Sequence, residues 1–370
     1  MFKKYNFRYY NFILLFLVIS LMILGVFVID SVNDDFTVKQ AAGVGLAIVI
    51  MIVLSLIDYH IAMNLYIPLY LFVNVLLVLV LVAGSTVNNA TRWFNLAGIT
   101  FQPSELAKTC CILFFAAFLS KLMDKNRVNS IGGLASFIIL LLIPILLIFR
   151  EPDLSTVLCL SIVLLTMLFL AGLRYKIIGI TLLILIPLFS LFIWYIQRPD
   201  QSLLYEHQVK RIMSFIYPSE YEDETMQQDN SVMAIGSGQL TGKGLAKNNK
   251  TTNTAQTNLI SEQQTDFIFS AVGESFGFFG SVIIIGIILL IVLQCIREGR
   301  HARDDVGMLF AFGMGCLIAF QSFINIGVAT KLLPNTGIPL PFISYGLTSL
   351  ISSALGLGIV LNISLQKRKY

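Results

Sequence analysis

The stretch EQQTDFIFSAVGESFGFFGSVIIIGIILLIVLQCI, residues 262–296, is where a polar segment of the chain meets a long apolar one. Residues 197–265 are mostly polar, and from Phe267 onward the residues are predominantly apolar. A continuous apolar run of about 20 residues is long enough to cross the hydrocarbon core of a bilayer as a helix. Asp266 therefore stands where we expect a membrane helix to begin and a large water-exposed loop to end.

The rest of the chain repeats this pattern of long apolar runs. Apolar residues make up 56% of the 370 residues and charged residues only 12%, about half the charged fraction of a soluble domain. Backbone groups in lipid must be hydrogen-bonded to one another, and the apolar runs are continuous rather than alternating. We therefore predict an all-α polytopic integral membrane protein, with a single membrane domain over residues 1–370.

Ten transmembrane helices are predicted from the apolar runs. They cover residues 12–30, 40–57, 66–84, 103–121, 131–149, 153–172, 176–196, 267–296, 305–328 and 342–364. The first run lacks a small-residue cleavage site, so we interpret it as a retained helix rather than a signal peptide. The polar residues 197–265 form a large loop between the seventh and eighth helices. Within it, residues 205–240 are predicted to contain short helices and residues 241–264 to be irregular.

The basic residues indicate an orientation in the membrane. Fourteen of the 25 Lys and Arg residues fall in short segments on one side: Lys3, Lys4, Arg8, Lys121, Lys125, Arg127, Arg174, Lys176, Arg297, Arg300, Arg303, Lys367, Arg368 and Lys369. Short cytoplasmic loops of membrane proteins are enriched in Lys and Arg. We therefore expect both termini in the cytoplasm and the loop 197–265 outside.

The five cysteines and three histidines show no metal-ligand spacing. All the cysteines lie in or at the ends of apolar segments, and the large loop contains none. A disulfide scaffold is therefore not expected.

Asp266 allows two interpretations. An aspartate ahead of an apolar helix is a good N-cap, because its side chain accepts hydrogen bonds from free backbone N–H groups. Taken alone, the frequency of such helix starts favours the cap. The alternative is an acid at the membrane surface, acting on a substrate whose head is in water and whose tail is in lipid.

Glu105 and Lys108 lie within an apolar run, in the segment QPSELAK at residues 102–108. A lysine within the membrane costs about 2.5–3.5 kcal/mol unless it is paired or hydrated. Glu105 is three residues before Lys108, so both side chains can share one helix face and form an ion pair. A structural pair and a functional pair remain equally open, and Pro103 is an ordinary residue for a first helical turn.

Two polar turns could also contribute to a site. The segment Arg150-Glu151-Pro152-Asp153 predicts a tight turn in which Asp153 caps the next helix. The glycine-rich residues 236–245, with Lys243, are typical of either a flexible loop or an anion-binding backbone concavity. The spacing is not that of a Walker motif.

Two further features lie within or between predicted helices. Glu274 is an intramembrane carboxylate that needs a partner. In residues 335–346, Pro339, Pro341 and two glycines prevent a regular helix from forming. Irregular backbone at membrane depth must be buried in protein or line a wet cavity.

Five segments, in order along most of the chain, resemble the SEDS family, whose members include RodA, FtsW and SpoVE. They are TRWFN (91–95) with FQPSE (101–105), EPDLST (151–156), AIGSG (234–238) with GKG (242–244), TDFIF (265–269), and NIGVAT (325–330) through PLPFISYG (339–346). Arg211-Ile212 and the Asp-Phe-Ile-Phe sequence resemble RodA slightly more than FtsW.

The resemblance implies a peptidoglycan glycosyltransferase of the bacterial plasma membrane. Such an enzyme polymerises lipid II beside a class B penicillin-binding protein, in contact with membrane lipid and without nucleic acid. It implies that Asp266 is the general base and that the pair Glu105 and Lys108 is functional. The other expected substrate-binding residues are Arg92, Arg211, Lys243, Asp153 and Ser344. The expected supporting residues are Glu274, Pro103, Pro339, Pro341 and Gly346. A divalent cation, Mg²⁺ or Mn²⁺, is left open, with no ligands assigned.

The chain departs from the family pattern at four positions. Ser261 and Gln264 replace a proline and a histidine, and Lys331 and Leu347 stand where glycine is typical. Two other functions also fit the buried charges or the resemblance. A lipid II flippase would use intramembrane charges as a head-group path but needs no base at the outer surface. A non-enzymatic scaffold of the cell-wall machinery needs neither intramembrane charges nor a base at the outer surface.

Overall fold

The structure is a computed structural model that describes residues 7–87, 90–96, 99–198, 206–245, 260 and 263–366. Several predictions concern residues outside these ranges. They are the basic residues Lys3, Lys4 and 367–369, the substitution at Ser261, and residues 246–259 of the segment expected to be irregular.

Thirteen α-helices account for most of the described residues. They are α1 (Phe12–Val32), α2 (Asp34–Leu56), α3 (Tyr59–Asn64), α4 (Tyr66–Ala83), α5 (Pro103–Asp124), α6 (Ile131–Arg150), α7 (Leu154–Leu170), α8 (Tyr175–Ile196), α9 (Glu206–Ile216), α10 (Glu222–Ser237), α11 (Ile268–Arg300), α12 (Asp305–Ala329) and α13 (Leu347–Leu365). Within the described ranges, nine helices are long and apolar enough to cross a membrane, and α7 is a shorter apolar helix. The predicted multi-pass helical protein is confirmed, and the predicted short helices in 205–240 correspond to α9 and α10.

Three short strands between α4 and α5 were not predicted. They are β1 (Ser85–Val87), β2 (Ala90–Leu96) and β3 (Ile99–Phe101), and they pair in the antiparallel order β1-β2-β3. Phe94 pairs with Phe101, and Ser85 pairs with Trp93. Threonine and aromatic residues favour strands, but two of these strands have only three residues, which is too short for a clear alternating pattern.

Two helices begin several residues away from the predicted position. Helix α2 begins at Asp34 rather than at residue 40, because the Asn33 side chain accepts a hydrogen bond from the Asp35 N–H and caps the helix. Helix α13 begins at Leu347 rather than at residue 342. The two prolines before it cannot continue a helix, and Phe342 has a left-handed φ of +69°.

Helices α5, α12 and α13 form the buried centre of the bundle, and α8 lies at its periphery. Helix α13 packs on α2 and α5, and α12 packs on α5, α7 and α11. The beginnings of α5 and α13 meet where the Gln102 N–H donates to Thr348 Oγ1 at 3.2 Å. The beginning of α7 meets the segment after α12 where Ser155 Oγ donates to the Thr336 carbonyl. Several helix ends therefore converge on the irregular residues 331–346.

Candidate active site

The turn that carries Asp266 is bound to the irregular segment after α12. Asn325 Nδ2 donates to the carbonyl oxygens of Asp266 and Ile338 at 2.8 and 2.7 Å. Ser344 Oγ donates to the Thr265 carbonyl at 2.7 Å and accepts from the Leu340 N–H at 2.8 Å. The Ser344 hydroxyl therefore joins the two segments, and its predicted contact with the substrate stays a prediction.

Asp266 is not at the N-cap position of α11. That position is occupied by Phe267, which makes no side-chain cap hydrogen bond. The Asp266 carboxylate instead lies beside Gly337, which has a left-handed φ of +73°. A Cβ atom at Gly337 would lie 3.1 Å from Asp266 Oδ2 and 3.8 Å from Arg211 Nη1. The structure therefore brings Asp266 and Arg211 together across a residue without a side chain.

Asp153 caps α7, as predicted, and also joins neighbouring elements. Its carboxylate accepts from the Thr156 N–H at 3.1 Å, from Thr156 Oγ1 at 2.9 Å and from Gln102 Nε2 at 3.3 Å. Arg92 Nη1, from β2, lies 4.0 Å from Asp153 Oδ2. The strands therefore place Arg92 at the beginning of α7, beside Asp153 and two residues before Ser155, which contacts the segment that holds Gly337.

Glu105 and Lys108 form the predicted ion pair on α5. Lys108 Nζ donates to Glu105 Oε1 at 2.7 Å, and both residues are almost fully buried. The Glu105 carbonyl also accepts from Ser352 Oγ of α13 at 2.8 Å. Pro103 is the first residue of α5. The geometry establishes the pairing and is equally compatible with a structural and a functional role.

Lys243 is paired with Glu274, which gives this intramembrane carboxylate the partner it requires. Lys243 Nζ donates to Glu274 Oε1 at 2.8 Å, and the Lys243 N–H donates to the Glu274 carbonyl at 2.9 Å. Helix α11 is kinked at Gly277, whose φ is +65°, and a Cβ there would lie 2.4 Å from the Gly242 nitrogen. The glycine-rich loop therefore packs its backbone closely against α11 at the kink.

The structure also gives contacts for three of the residues that depart from the family pattern. Lys331 has a left-handed φ of +59°, and its ammonium forms an ion pair with Asp229 of α10. Leu347 packs on Gly43 of α2, and a Cβ atom added at Gly43 would lie 2.2 Å from Leu347 Cδ2. The Gln264 carbonyl accepts from the Tyr345 N–H at 2.8 Å, an interaction that any residue type can make.

The supporting prolines and glycine lie in the same irregular segment. Pro339 and Pro341 fall between α12 and α13, and Gly346 occupies the N-cap position of α13 without a side-chain hydrogen bond. Gly337 and Asn325 were not singled out from the sequence. The sequence does contain a signal for Asn325: it is a polar residue within a predicted membrane helix, and such a group needs hydrogen-bond partners at that depth.

A metal site does not emerge from the described part of the chain. No group of three or more His, Cys, Asp or Glu side chains there has an arrangement that could hold a metal ion. The divalent cation left open by the sequence therefore has no ligand set among these residues, and no reaction step is assigned to it.

Comparison with known proteins identifies relatives over nearly the whole chain. The FtsW/RodA/SpoVE family, described as cell cycle proteins, matches residues 6–369. A probable peptidoglycan glycosyltransferase FtsW from Geobacter metallireducens is 33% identical over 96% of this chain and 94% of that protein. The peptidoglycan glycosyltransferase MrdB from Escherichia coli K12 is 29% identical over 96% of this chain and 93% of its own length.

Solved structures support the same relationship. A chain from a peptidoglycan synthase complex, described as coordinating polymerization and crosslinking, superposes with a TM-score of 0.80 at 26% identity, over 96% of this chain and 97% of that one. The rod shape determining protein RodA from Thermus thermophilus superposes with a TM-score of 0.71 at 26% identity, over 100% and 99% of the two chains. The chain therefore belongs to the FtsW/RodA/SpoVE family of cell cycle proteins.

Proposed function

We propose that this chain is a peptidoglycan glycosyltransferase that polymerises lipid II into glycan strands, with Asp266 as the general base. The observation that carries the proposal is the Asp266 carboxylate, which lies beside Gly337 and the Arg211 guanidinium on a turn fixed by hydrogen bonds. The relatives named as peptidoglycan glycosyltransferases support the same reaction.

In the proposed reaction, the 4-hydroxyl of the acceptor's N-acetylglucosamine attacks the anomeric carbon of the donor's N-acetylmuramic acid. Undecaprenyl pyrophosphate leaves from the opposite face, so an α-linkage becomes a β-linkage. The hydroxyl loses its proton as the new bond forms, and Asp266 accepts it. A positioned base of this kind contributes about 10²–10⁴-fold to the rate.

The leaving pyrophosphate requires positive charge. Lys108 and Lys243 already pair with carboxylates at 2.7 and 2.8 Å, so using either would require breaking an ion pair. We therefore assign the leaving group first to Arg92 and Arg211, because a guanidinium can bind phosphate oxygens through two parallel hydrogen bonds. Helices α5, α7 and α13 also begin in this region, and helix N-termini favour anions.

We further propose that a class B penicillin-binding protein is the partner and that both termini are cytoplasmic. The first is supported by the structural neighbour, which comes from a complex described as combining polymerization and crosslinking. The second rests on the basic residues near Arg297 and Arg303, since short cytoplasmic loops are enriched in such residues. This orientation places Asp266 and residues 197–265 outside the cell membrane, where the glycan is assembled.

The proposed function is tested with the purified full chain, its partner and fluorescently labelled lipid II in detergent. Glycan strands that are long enough to separate on a gel and are digested by a muramidase would support the proposal. If no strands form but lipid II crosses the membrane of vesicles containing the protein, the flippase alternative replaces it. If neither occurs, while the partner's own activity depends on the chain, the protein is a scaffold.

A further inference from the structure

The turn between α6 and α7 contains a buried carboxylic acid that the proposed reaction does not use. Glu151 has no exposed surface, and neither of its carboxylate oxygens has a hydrogen-bond partner among the described residues. A buried charge without partners is strongly unfavourable, so such a group ordinarily becomes neutral. Glu151 therefore differs from Asp153, two residues later, whose carboxylate accepts hydrogen bonds from Thr156 and Gln102.

Arg92 is the cation that faces this turn. Its guanidinium lies 4.0 Å from Asp153, and its Nε atom is buried with no hydrogen-bond partner among the described residues. Asp153 and Arg92 are the charged groups that act on Glu151. The nearest charges on α5, Glu105 and Lys108, are paired with each other at 2.7 Å. Arg150, the residue before Glu151, is exposed to the surroundings. The buried side of the turn thus faces one guanidinium, that of Arg92, and carries two carboxylic acids, of which only Asp153 is hydrogen-bonded among the described residues.

The charge balance of the turn depends on whether Glu151 is ionised. Burial, and to a lesser extent the negative charge of Asp153, raise the pKa of Glu151 to about 9, although Arg92 acts in the opposite direction. At neutral pH the acid keeps its proton, and one negative charge, that of Asp153, faces Arg92. At higher pH a second carboxylate would compete for the same guanidinium.

We propose that Glu151 is a positioning residue whose neutral form leaves the Arg92 guanidinium available to an anionic phosphate group of the substrate. On ionisation, Glu151 releases its proton to solvent and binds the guanidinium itself, so that the site loses affinity for the anion. This inference rests on the proposed function in one respect only, namely that the substrate carries a phosphate group that Arg92 contacts.

The first test compares the pH dependence of Glu151→Gln with that of the wild type. The amide resembles the neutral acid in shape but cannot ionise. Ionisation of Glu151 should lower the kcat/KM of the wild type for lipid II about tenfold between about pH 7 and about pH 10. Glu151→Gln should not show this tenfold loss. The exposed Glu220→Gln serves as the matched control and should follow the wild type. Superimposable profiles for wild type and Glu151→Gln would overturn the proposal.

The second test requires no catalysis. The infrared difference spectrum between wild type and Glu151→Gln at neutral pH should contain the carbonyl stretch of a protonated carboxylic acid. Carboxylate bands in its place would overturn the proposal. The binding of inorganic pyrophosphate is then measured in two proteins, Asp266→Asn and the double variant that also carries Glu151→Gln. Asp266→Asn should bind pyrophosphate about tenfold more weakly at about pH 10 than at about pH 7, and the double variant should not show this loss. This result would stand even if the protein polymerised no lipid II, and equal affinities at the two pH values would refute the role of Glu151.

Discussion

Replacing Gly337 by alanine should slow the reaction as well as weaken the fold. Gly337 has a φ of +73°, a left-handed conformation that costs an L-residue roughly 1–2 kcal/mol. Its new Cβ would also lie 3.1 Å from Asp266 Oδ2 and 3.8 Å from Arg211 Nη1. At 3.1 Å the carboxylate must move by a few tenths of an ångström, because this separation is shorter than ordinary van der Waals contact.

The size of the effect follows from the two contributions. The backbone strain lowers the free energy of unfolding by roughly 1–2 kcal/mol and does not depend on the carboxylate. A displacement of about 1 Å at a catalytic group can cost about 10²-fold in rate, so a shift of a few tenths of an ångström should cost on the order of tenfold. We therefore expect the Gly337→Ala protein to react about tenfold more slowly than the wild type and to lose roughly 1–2 kcal/mol in the free energy of unfolding.

Gly172→Ala provides the matched control. Gly172 has a φ of +98°, so alanine there carries a similar backbone strain, but a Cβ would meet no atom within 4 Å. Both variants should show similar losses of thermal stability, and only Gly337→Ala should polymerise labelled lipid II slowly. Equal polymerisation rates in the two variants would refute the reasoning, because the position of the Asp266 carboxylate would then not limit the reaction.

Three further predictions concern other parts of the molecule. Glu105→Ala or Lys108→Ala should destabilise the protein by about 3–5 kcal/mol, since each leaves a buried charge unpaired, and thermal unfolding measures this. Glu151→Gln should stabilise the protein by about 3 kcal/mol at pH 7, and the gain should grow with pH from about 5 to about 9. The reason is that the folded wild type retains a proton that the unfolded chain, with a pKa of 4.5, has released. In a cysteine-free background, Glu220→Cys should react with a membrane-impermeant thiol reagent from outside, and Arg303→Cys should not.

Each of these predictions has a contradicting result. Unchanged melting of both α5 variants would mean that the charges are hydrated rather than paired in the membrane. A stability difference between Glu151→Gln and the wild type that does not vary with pH would mean that Glu151 is ionised in the folded protein. Labelling of Arg303→Cys from outside, without labelling of Glu220→Cys, would invert the orientation and place Asp266 in the cytoplasm.

Local sequence patterns predicted the helices and the contacts within them. Long apolar runs are dictated by the thickness of the bilayer, and hence most spans were placed within a few residues. The Glu105–Lys108 pair follows from a spacing of three residues on a helix, and the Asp153 cap follows from its place before an apolar run. Such signals depend only on neighbouring residues, which explains why one sequence suffices to find them.

Contacts between distant segments could not be predicted in this way. Lys243 pairs with Glu274 across 31 residues. Gly337 lies beside Asp266 where Asn325, from α12, donates to the carbonyls of both Asp266 and Ile338. No periodic pattern encodes these approaches. Asp266 does not occupy the N-cap position that the sequence suggested, because Phe267 lies between it and Ile268, the first residue of α11.

The most direct test of the central claim is polymerisation of labelled lipid II by the Asp266→Asn protein together with its partner. The amide has nearly the same shape as the carboxylate but cannot accept the proton of the acceptor hydroxyl. The Asp266 carbonyl, which accepts from Asn325 at 2.8 Å, is unchanged by the substitution, so the turn should keep its fold. We predict normal abundance in the membrane and no glycan strands. Strand synthesis by Asp266→Asn at the wild-type rate would contradict the account.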